Sequence, residues 1–201
     1  MTDWWVTDFT LDELQQLRLI QEREDRDQSY NGLWTIPTFE QYLEVARTYG
    51  VKIYPETKTP EFFFDLTGVY MEELLVKEIK KSDFSEDNCI VQSFSPDSLK
   101  RVRSRDESLP LILLTKTALS DEQLDELSND KVYGIGAEKS LVITAENNNR
   151  TGYSNLVERC HRLEHLFELF HLCGNTHMDL TYLIKKNTST TTTVGRPKSS
   201  Y

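Results

Sequence analysis

Short apolar segments alternate with segments of helical periodicity through most of the chain, and this alternation limits the folds that the sequence can adopt. The apolar segments have the length and composition of buried strands. Strands that are joined through helices pair in parallel, by right-handed crossovers. We therefore predict an α/β fold, either a doubly wound sheet or part of a (β/α)8 barrel. The predicted strands lie at residues 51–55, 89–94, 109–114 and 132–135.

The predicted helices begin at capping patterns. Thr10 and Thr38 each precede a Glu or Gln by three residues, which is the spacing of a capping box, and Ser120 precedes Gln123 in the same way. Ser95 is followed by a proline at the first helical position. Apolar residues repeat at helical spacing behind each cap. We predict helices over 10–19, 38–50, 71–81 and 95–105, from 120 onward, and from 153 to about 170.

The length of the chain limits how much of a barrel it can form. A complete (β/α)8 barrel has eight strands in about 250 residues, whereas this chain has 201 residues. About half of the strands are predicted, so a barrel would be partial. After residue 170 the sequence loses its apolar periodicity and becomes polar and rich in threonine. We predict one barrel-type domain over 1–170 and an irregular or disordered tail over 171–201.

The charge and hydropathy of the chain bear on its partners. It has 33 acidic and 23 basic residues, for a net charge of −10, and the basic residues are scattered. A nucleic-acid partner is not expected, because phosphate backbones require a concentrated positive surface. No apolar run is long enough to span a bilayer, and the first residues lack the pattern of a signal peptide. The sequence predicts a soluble chain without an export signal, and a secreted parent protein is compatible with it.

Two opposite charges stand where the first predicted strand ends. Side chains alternate along a strand, so Glu56 and Lys58 face the same side. Ligand sites of α/β proteins lie at the carboxyl ends of parallel strands. A carboxylate there can bind a hard divalent cation, and an ammonium group can bind a phosphate oxygen. The residues alone leave open a second interpretation, in which the two charges form a solvated surface ion pair.

Gln92 and Phe94 share a face at the end of the next predicted strand. They would lie beside Glu56 and Lys58 if the two strands are neighbours in the sheet. The residues alone also allow Phe94 to be a core residue and Gln92 to satisfy a loop.

Histidines and cysteines gather near the end of the sequence. His161 and His165 are four residues apart and would share one face of a helix, as a pair of zinc ligands does. The spacing beyond them fits no closed four-ligand site, and the same stretch also fits an amphipathic helix running into loose chain. The candidate ligands are Cys160, His161, His165, His171, Cys173 and His177.

Seven stretches follow one another over roughly residues 6 to 165: "VTDFTLDELQQL", "IPTFEQYLEVA", "GVKIYPETKTPEFF", "CIVQSFSPDSLKRVR", "LPLILLT", "VYGIGAEKSLV" and "NNNRTGYSNLVERCH". Taken in this order, they resemble the middle and later part of glycerophosphodiester phosphodiesterases. The similarity is greatest to the branch with bacterial periplasmic and plant members, and several motifs in the right order are more specific than any one alone.

The resemblance implies a fold, a reaction and a set of site residues. In that family the fold is a (β/α)8 barrel, and a divalent cation, usually calcium or magnesium, assists the hydrolysis of glycerophosphodiesters to glycerol 3-phosphate and an alcohol. By position in the motifs, Glu56 matches the metal-binding glutamate and Lys58 the lysine that faces the phosphate. Gln92 and Phe94 match positions that line the substrate pocket.

The sequence also departs from the family's pattern. Family members begin with a His-Arg-Gly strand, continue through a Glu-x-Asp pair that completes the metal site, and reach a His-Asp segment with the second catalytic histidine. The resemblance in this chain begins downstream of all three. We therefore expect an incomplete or inactive form of the enzyme, or, as the alternative, a non-catalytic binding or interaction module derived from the barrel. Open sheet edges in a partial barrel favour self-association.

Overall fold

A computed structural model of the chain describes residues 4–146, 149–163, 166–170 and 182–184, with side chains for 4–144 and 151–163. The chain divides into two compact units, residues 1–113 and 114–201.

The first unit begins with little regular structure. A 3-10 turn at Val6–Asp8 is followed by helix α1, Leu11–Leu14, whose capping box joins Thr10 and Glu13 as predicted. The helix is shorter than the predicted 10–19. Just after its end, the Arg18 guanidinium donates to the carbonyl oxygens of Gln15, Gln16 and Leu17.

Helix α2, Phe39–Tyr49, confirms the predicted second helix. Its capping box joins the Thr38 hydroxyl and the backbone N–H of Gln41, at 3.2 Å. At its end Gly50 has a φ of 61°, a conformation that favours glycine, and turns the chain toward the sheet.

Three parallel strands run through the first unit. Strand β1 is Glu56–Thr57, β2 is Val91–Ser93 and β3 is Leu111–Thr115. Strand β1 pairs with β2 and β2 with β3, both in parallel, which confirms the predicted pairing. Within the predicted strand 51–55, Ile53 forms an isolated bridge with Cys89, and regular pairing starts only at Glu56 because the proline at position 55 has no N–H to donate. The boundary between the two units falls within β3.

Three helices accompany these strands. Helices α4, Met71–Lys81, and α5, Pro96–Arg105, agree with the predicted 71–81 and 95–105. Helix α3, Pro60–Thr67, was not predicted. Its signal was the proline at its first position, which has a φ suited to a helix start.

The second unit contains helix α6, strand β4 and a hairpin. Helix α6, Asp121–Asn129, follows the predicted Ser120 cap, and β4, Gly134–Glu138, lies slightly later than the predicted 132–135. A 3-10 turn at Lys139–Leu141 leads into a hairpin that was not predicted. Its antiparallel strands are β5, Ile143–Glu146, and β6, Asn149–Tyr153.

The predicted helix from 153 to about 170 is wrong beyond its first half. Helix α7 is limited to Leu156–Arg162, and strand β7, Leu166–Phe170, pairs in parallel with β4. The apolar residues of this stretch are so closely spaced that they satisfy the pattern of a buried parallel strand as well as that of a helix. Pairing with β4 decides in favour of the strand.

Strand β8, Tyr182–Ile184, pairs with β7 in antiparallel orientation. The other residues of the predicted tail, 171–181 and 185–201, lie outside the described residues, so the domain boundary at 170 stays a prediction. None of the helices that the structure describes combines the length and the apolar character needed to cross a membrane.

Candidate functional site

The pairing of β1 with β2 brings two predicted site residues together. Glu56 lies directly opposite Gln92 in the parallel register, and Thr57 lies opposite Ser93. Cross-strand partners share a face of the sheet, so the Glu56 carboxylate and the Gln92 amide occupy neighbouring positions on one face. The predicted adjacency of these two strands is confirmed.

The residue between the two charges shows which face this is. Thr57 is 3% exposed, and its hydroxyl lies 2.7 Å from the Ser98 hydroxyl on α5. Thr57 therefore faces the helix. Because side chains alternate along a strand, Glu56 faces away from α5.

Glu56 and Lys58 are both exposed. The surface ion pair between them, which the sequence left open, is not formed. Within the described part of the chain, neither side chain has a hydrogen bond or an ion pair. Both charges at the end of β1 are thus available to a ligand.

Lys58 and Phe94 lie in the loops that follow the two strands. Lys58 is in the short connection between β1 and α3, and Phe94 is in the connection between β2 and α5. Phe94 is 38% exposed, so it is not a core residue. Both loops leave the carboxyl ends of parallel strands, where ligands bind in α/β proteins.

A set of polar contacts that sequence reasoning missed joins the β2–α5 loop and helix α5 to the first turn of α3. The Ser95 hydroxyl donates to the Glu61 carboxylate at 2.5 Å, and Arg101 donates to the same oxygen of Glu61 at 2.9 Å. Partial burial opposes ionisation of Glu61, but these hydrogen bonds outweigh it and hold the pKa of Glu61 below its ordinary value. The only signal in the sequence was the serine at the start of α5, which reads as a helix cap.

Arg101 is fixed by more than Glu61. Its Nε donates to the carboxylate of Glu72, a residue with no exposed surface, at 3.0 Å, and its guanidinium lies 5.1 Å from the centre of the Tyr70 ring. Burial opposes the charge of Arg101, but the contacts with Glu61 and Glu72 more than compensate and raise its pKa. Arg101 is therefore a cation at neutral pH.

The zinc hypothesis concerns residues of which few are described. His161 and Cys160 lie on α7, where burial raises the pKa of the Cys160 thiol to about 11. The structure shows no hydrogen bond to Nε2 of His161, an atom that is buried. His165, His171, Cys173 and His177 lie outside the described residues. Among those that are described, no three metal-ligating side chains come together.

Sequence comparison identifies the family. The sequence profile of the glycerophosphoryl diester phosphodiesterase family matches residues 1–166. The chain belongs to this family. It is 30% identical over 190 residues to the glycerophosphodiester phosphodiesterase GDPD6 of Arabidopsis thaliana, a match covering 80% of this chain and 50% of the relative. With a glycerophosphodiester phosphodiesterase of Bacillus subtilis it shares 30% identity over 147 residues, covering 66% of this chain and 47% of the relative.

Solved structures of glycerophosphodiester phosphodiesterases and a related phosphodiesterase share the fold. A phosphodiesterase of Oleispira antarctica, solved in complex with the product sn-glycerol-3-phosphate, superposes with a TM-score of 0.61 at 18% identity, covering 85% of this chain and 62% of that one. A glycerophosphodiester phosphodiesterase of Parabacteroides distasonis gives 0.55 at 21% identity, covering 82% and 59%. The predicted class, an α/β fold that forms part of a (β/α)8 barrel, is confirmed.

The chain spans about half the length of the curated relatives it matches. Glycerophosphodiester phosphodiesterases generally depend on a divalent cation. The sequence resemblance predicts Glu56, Lys58, Gln92 and Phe94 as site residues of this chain.

Proposed function

We propose that the chain carries one part of the active site of a glycerophosphodiester phosphodiesterase. In this proposal Glu56 binds a divalent cation, Lys58 binds the phosphate of the diester, and Gln92 and Phe94 line the substrate pocket. The observation that supports it best is the register of β1 and β2, which sets Glu56 beside Gln92 on the face turned away from α5.

The residues present fit a hard cation in part. The Glu56 carboxylate and the carbonyl oxygen of Gln92 are ligands that calcium and magnesium accept. Calcium requires about six to eight oxygen ligands and magnesium about six, so water, the phosphate and other residues would complete the shell. Calcium or magnesium bound there would neutralise charge on the phosphate oxygens and polarise the phosphorus centre.

Lys58 supplies the second positive charge for the phosphate. Its position two residues after Glu56 allows the ammonium group to contact a different phosphate oxygen from the one next to the cation. Hydrolysis also requires proton transfer to the leaving oxygen, for which histidine is the commonest group. The sequence contains no histidine before His161. We therefore propose that chain 1–201 by itself hydrolyses glycerophosphodiesters very slowly or not at all.

A non-catalytic binding module is the second candidate. It is favoured by the same geometry, because an exposed carboxylate and an exposed lysine at the end of β1 can hold a cation and a glycerophosphate without any acid or base. The hydrolase and the binding module would use the same binding site, and only the hydrolase would turn over its substrate.

A turnover assay separates these candidates. Purified chain 1–201 is incubated with glycerophosphocholine and calcium or magnesium, and glycerol 3-phosphate release is followed. We expect release no faster than that of the Glu56→Gln variant. Appreciable cation-dependent release that Glu56→Gln abolishes would show that the chain is a working hydrolase and would overturn the inactivity proposed for it.

A binding assay tests the role of Lys58. Calorimetry with glycerol 3-phosphate compares Lys58→Ala with Lys52→Ala, a matched control whose exposed lysine lies at the amino end of the same strand region. Loss of one charge-assisted contact should weaken binding about tenfold in Lys58→Ala only. Equal affinities in the two variants would exclude Lys58 as the phosphate ligand.

A further inference from the structure

The loop that carries Phe94 is fixed on both sides by one buried hydroxyl. The Ser93 hydroxyl donates to the carbonyl oxygen of Thr57 at 3.0 Å and accepts from the backbone N–H of Ser95 at 3.1 Å. Ser93 has no exposed surface. The two residues that flank Phe94 are therefore tied to each other and to strand β1.

The loop that carries Lys58 is fixed at both of its ends as well. At one end, Thr57 is held by the sheet and by the Ser98 hydroxyl. At the other end, the Glu61 carboxylate accepts from the Ser95 hydroxyl. Between them Thr59 has a φ of 46°, which is unusual for a residue other than glycine and persists only where the surroundings hold it. Lys58 thus lies on a short segment with little freedom.

These contacts close a ring that contains both loops. From β1 it passes through Ser93 to Ser95, from Ser95 to Glu61, and back along the chain through Lys58 to β1. The bond between Ser95 and Glu61 is the one side-chain contact in this ring that joins the β2–α5 loop to α3. Arg101 secures it from the other side by donating to Glu61 while it is held by the buried Glu72.

We infer that Glu61 is a positioning residue, which through Ser95 and Arg101 sets Lys58 and Phe94 relative to each other for the glycerophosphate. This inference rests on the proposed function, since it assigns Glu61 a role at that same site. Glu61 itself touches neither the proposed cation nor the phosphate. Its carboxylate acts by holding two loops at a fixed separation, which reduces the entropy that phosphate binding must overcome.

Glu61 is the residue to change, because Ser95 has a second role. The Ser95 hydroxyl also accepts from the backbone N–H of Ser98 and so caps α5. Glu61→Ala removes the link between the loops and leaves that cap intact. Glu61→Gln keeps an oxygen that can accept from Ser95 and serves as the conservative variant.

The chain offers a closely matched control. Glu73 on α4 pairs with Arg105 on α5, much as Glu61 pairs with Arg101. The side chains of Glu61 and Glu73 are 53% and 54% exposed, and those of their arginine partners 22% and 24%. Glu73→Ala therefore removes a comparable ion pair that is not part of the ring. A purely structural role predicts the same result for both variants.

The test uses chain 1–201 with calcium, and glycerol 3-phosphate as the probe. Calorimetry gives the affinity, and hydrogen exchange followed by mass spectrometry gives the mobility of residues 58–61 and 93–95. We expect Glu61→Ala to bind roughly tenfold more weakly than wild type and to exchange faster in both segments. Glu61→Gln should recover most of the affinity, and Glu73→Ala should match wild type.

The test distinguishes failure of the positioning role from failure of the proposed function. If wild type binds the probe and Glu61→Ala binds no more weakly than Glu73→Ala, or exchanges no faster in the two loops, the positioning role is overturned and the proposed function stands. If wild type itself fails to bind glycerol 3-phosphate, the proposed function fails and the positioning role falls with it.

Discussion

At the scale of single residues, Thr57 is a buried hydroxyl between two exposed charges. Its neighbours Glu56 and Lys58 are exposed charges, while its own hydroxyl is buried against Ser98. A hydroxyl at this position ties β1 to α5 and so fixes which way the neighbouring carboxylate faces.

Replacing Thr57 with valine should destabilise the protein, although the two side chains have nearly the same volume. Thr57→Val leaves the fully buried Ser98 hydroxyl without this partner, which costs about 1–3 kcal/mol in the free energy of unfolding. Urea denaturation measures the loss. The control is Thr48→Val, which removes an exposed hydroxyl bonded to Glu44 in α2 and should cost less than about 0.5 kcal/mol. Equal losses in the two variants would contradict the structural role of Thr57.

Ionisation of Glu61 should make stability depend on pH in a defined direction. The pKa of Glu61 in the folded protein lies below its ordinary value of 4.5. The ionised carboxylate therefore contributes stability above that value, and the contribution is lost as the pH falls through the folded pKa. The advantage of wild type over Glu61→Gln in thermal unfolding should be constant near neutrality and shrink below about pH 4.5. An advantage that grows on acidification would contradict the bond to Ser95.

At the scale of elements, most helices could be predicted because their signals are local. Thr38, Ser95 and Ser120 each carry a cap that the structure confirms, since a cap depends only on the following three residues. Helix α3 was missed because its start has a proline but no side-chain cap, and a proline alone also fits a turn. The stretch 153–170 was misassigned because pairing with β4, a contact distant in sequence, decides its second half.

In the candidate site, too, features with a local signal could be predicted and a contact between distant residues could not. Alternation along a strand predicts that Glu56 and Lys58 share a side, and the register does not test this because Lys58 lies beyond β1. Sequential strand order placed Gln92 beside Glu56, as the register shows. The link from Ser95 to Glu61 spans 34 positions in the sequence. It depends on how α3 and α5 meet, which no local pattern contains.

Buried thiols report on whether individual elements open. Burial, together with the negative charge of Asp106, raises the pKa of Cys89, two residues before β2, to about 12, and burial raises that of Cys160 on α7 to about 11. In a Cys173→Ser variant, neither thiol should react quickly with Ellman's reagent at about pH 8, because the thiolate is the reacting form. Denaturation should release two thiols. A fast thiol in the native protein would show that β2 or α7 opens readily.

At the scale of the whole molecule, exposed apolar side chains favour self-association. In the first unit alone, Trp4, Leu33, Trp34 and Tyr49 are each more than 60% exposed. Strand β1, at the end of the strand order, has one partner among the described strands. Such surfaces and edges promote association. Light scattering coupled to size exclusion should show chain 1–201 as oligomers. A monomer with one sharp, concentration-independent thermal transition would contradict this.

The role of Glu56 is the central claim, and the dependence of glycerol 3-phosphate affinity on calcium tests it most directly. Calorimetry at increasing calcium compares wild-type chain 1–201 with Glu56→Gln and with Glu86→Gln, a control whose exposed carboxylate precedes β2 at its amino end. We predict that calcium tightens binding in wild type and Glu86→Gln and has no effect in Glu56→Gln. A calcium response in Glu56→Gln equal to that of wild type would contradict the assignment.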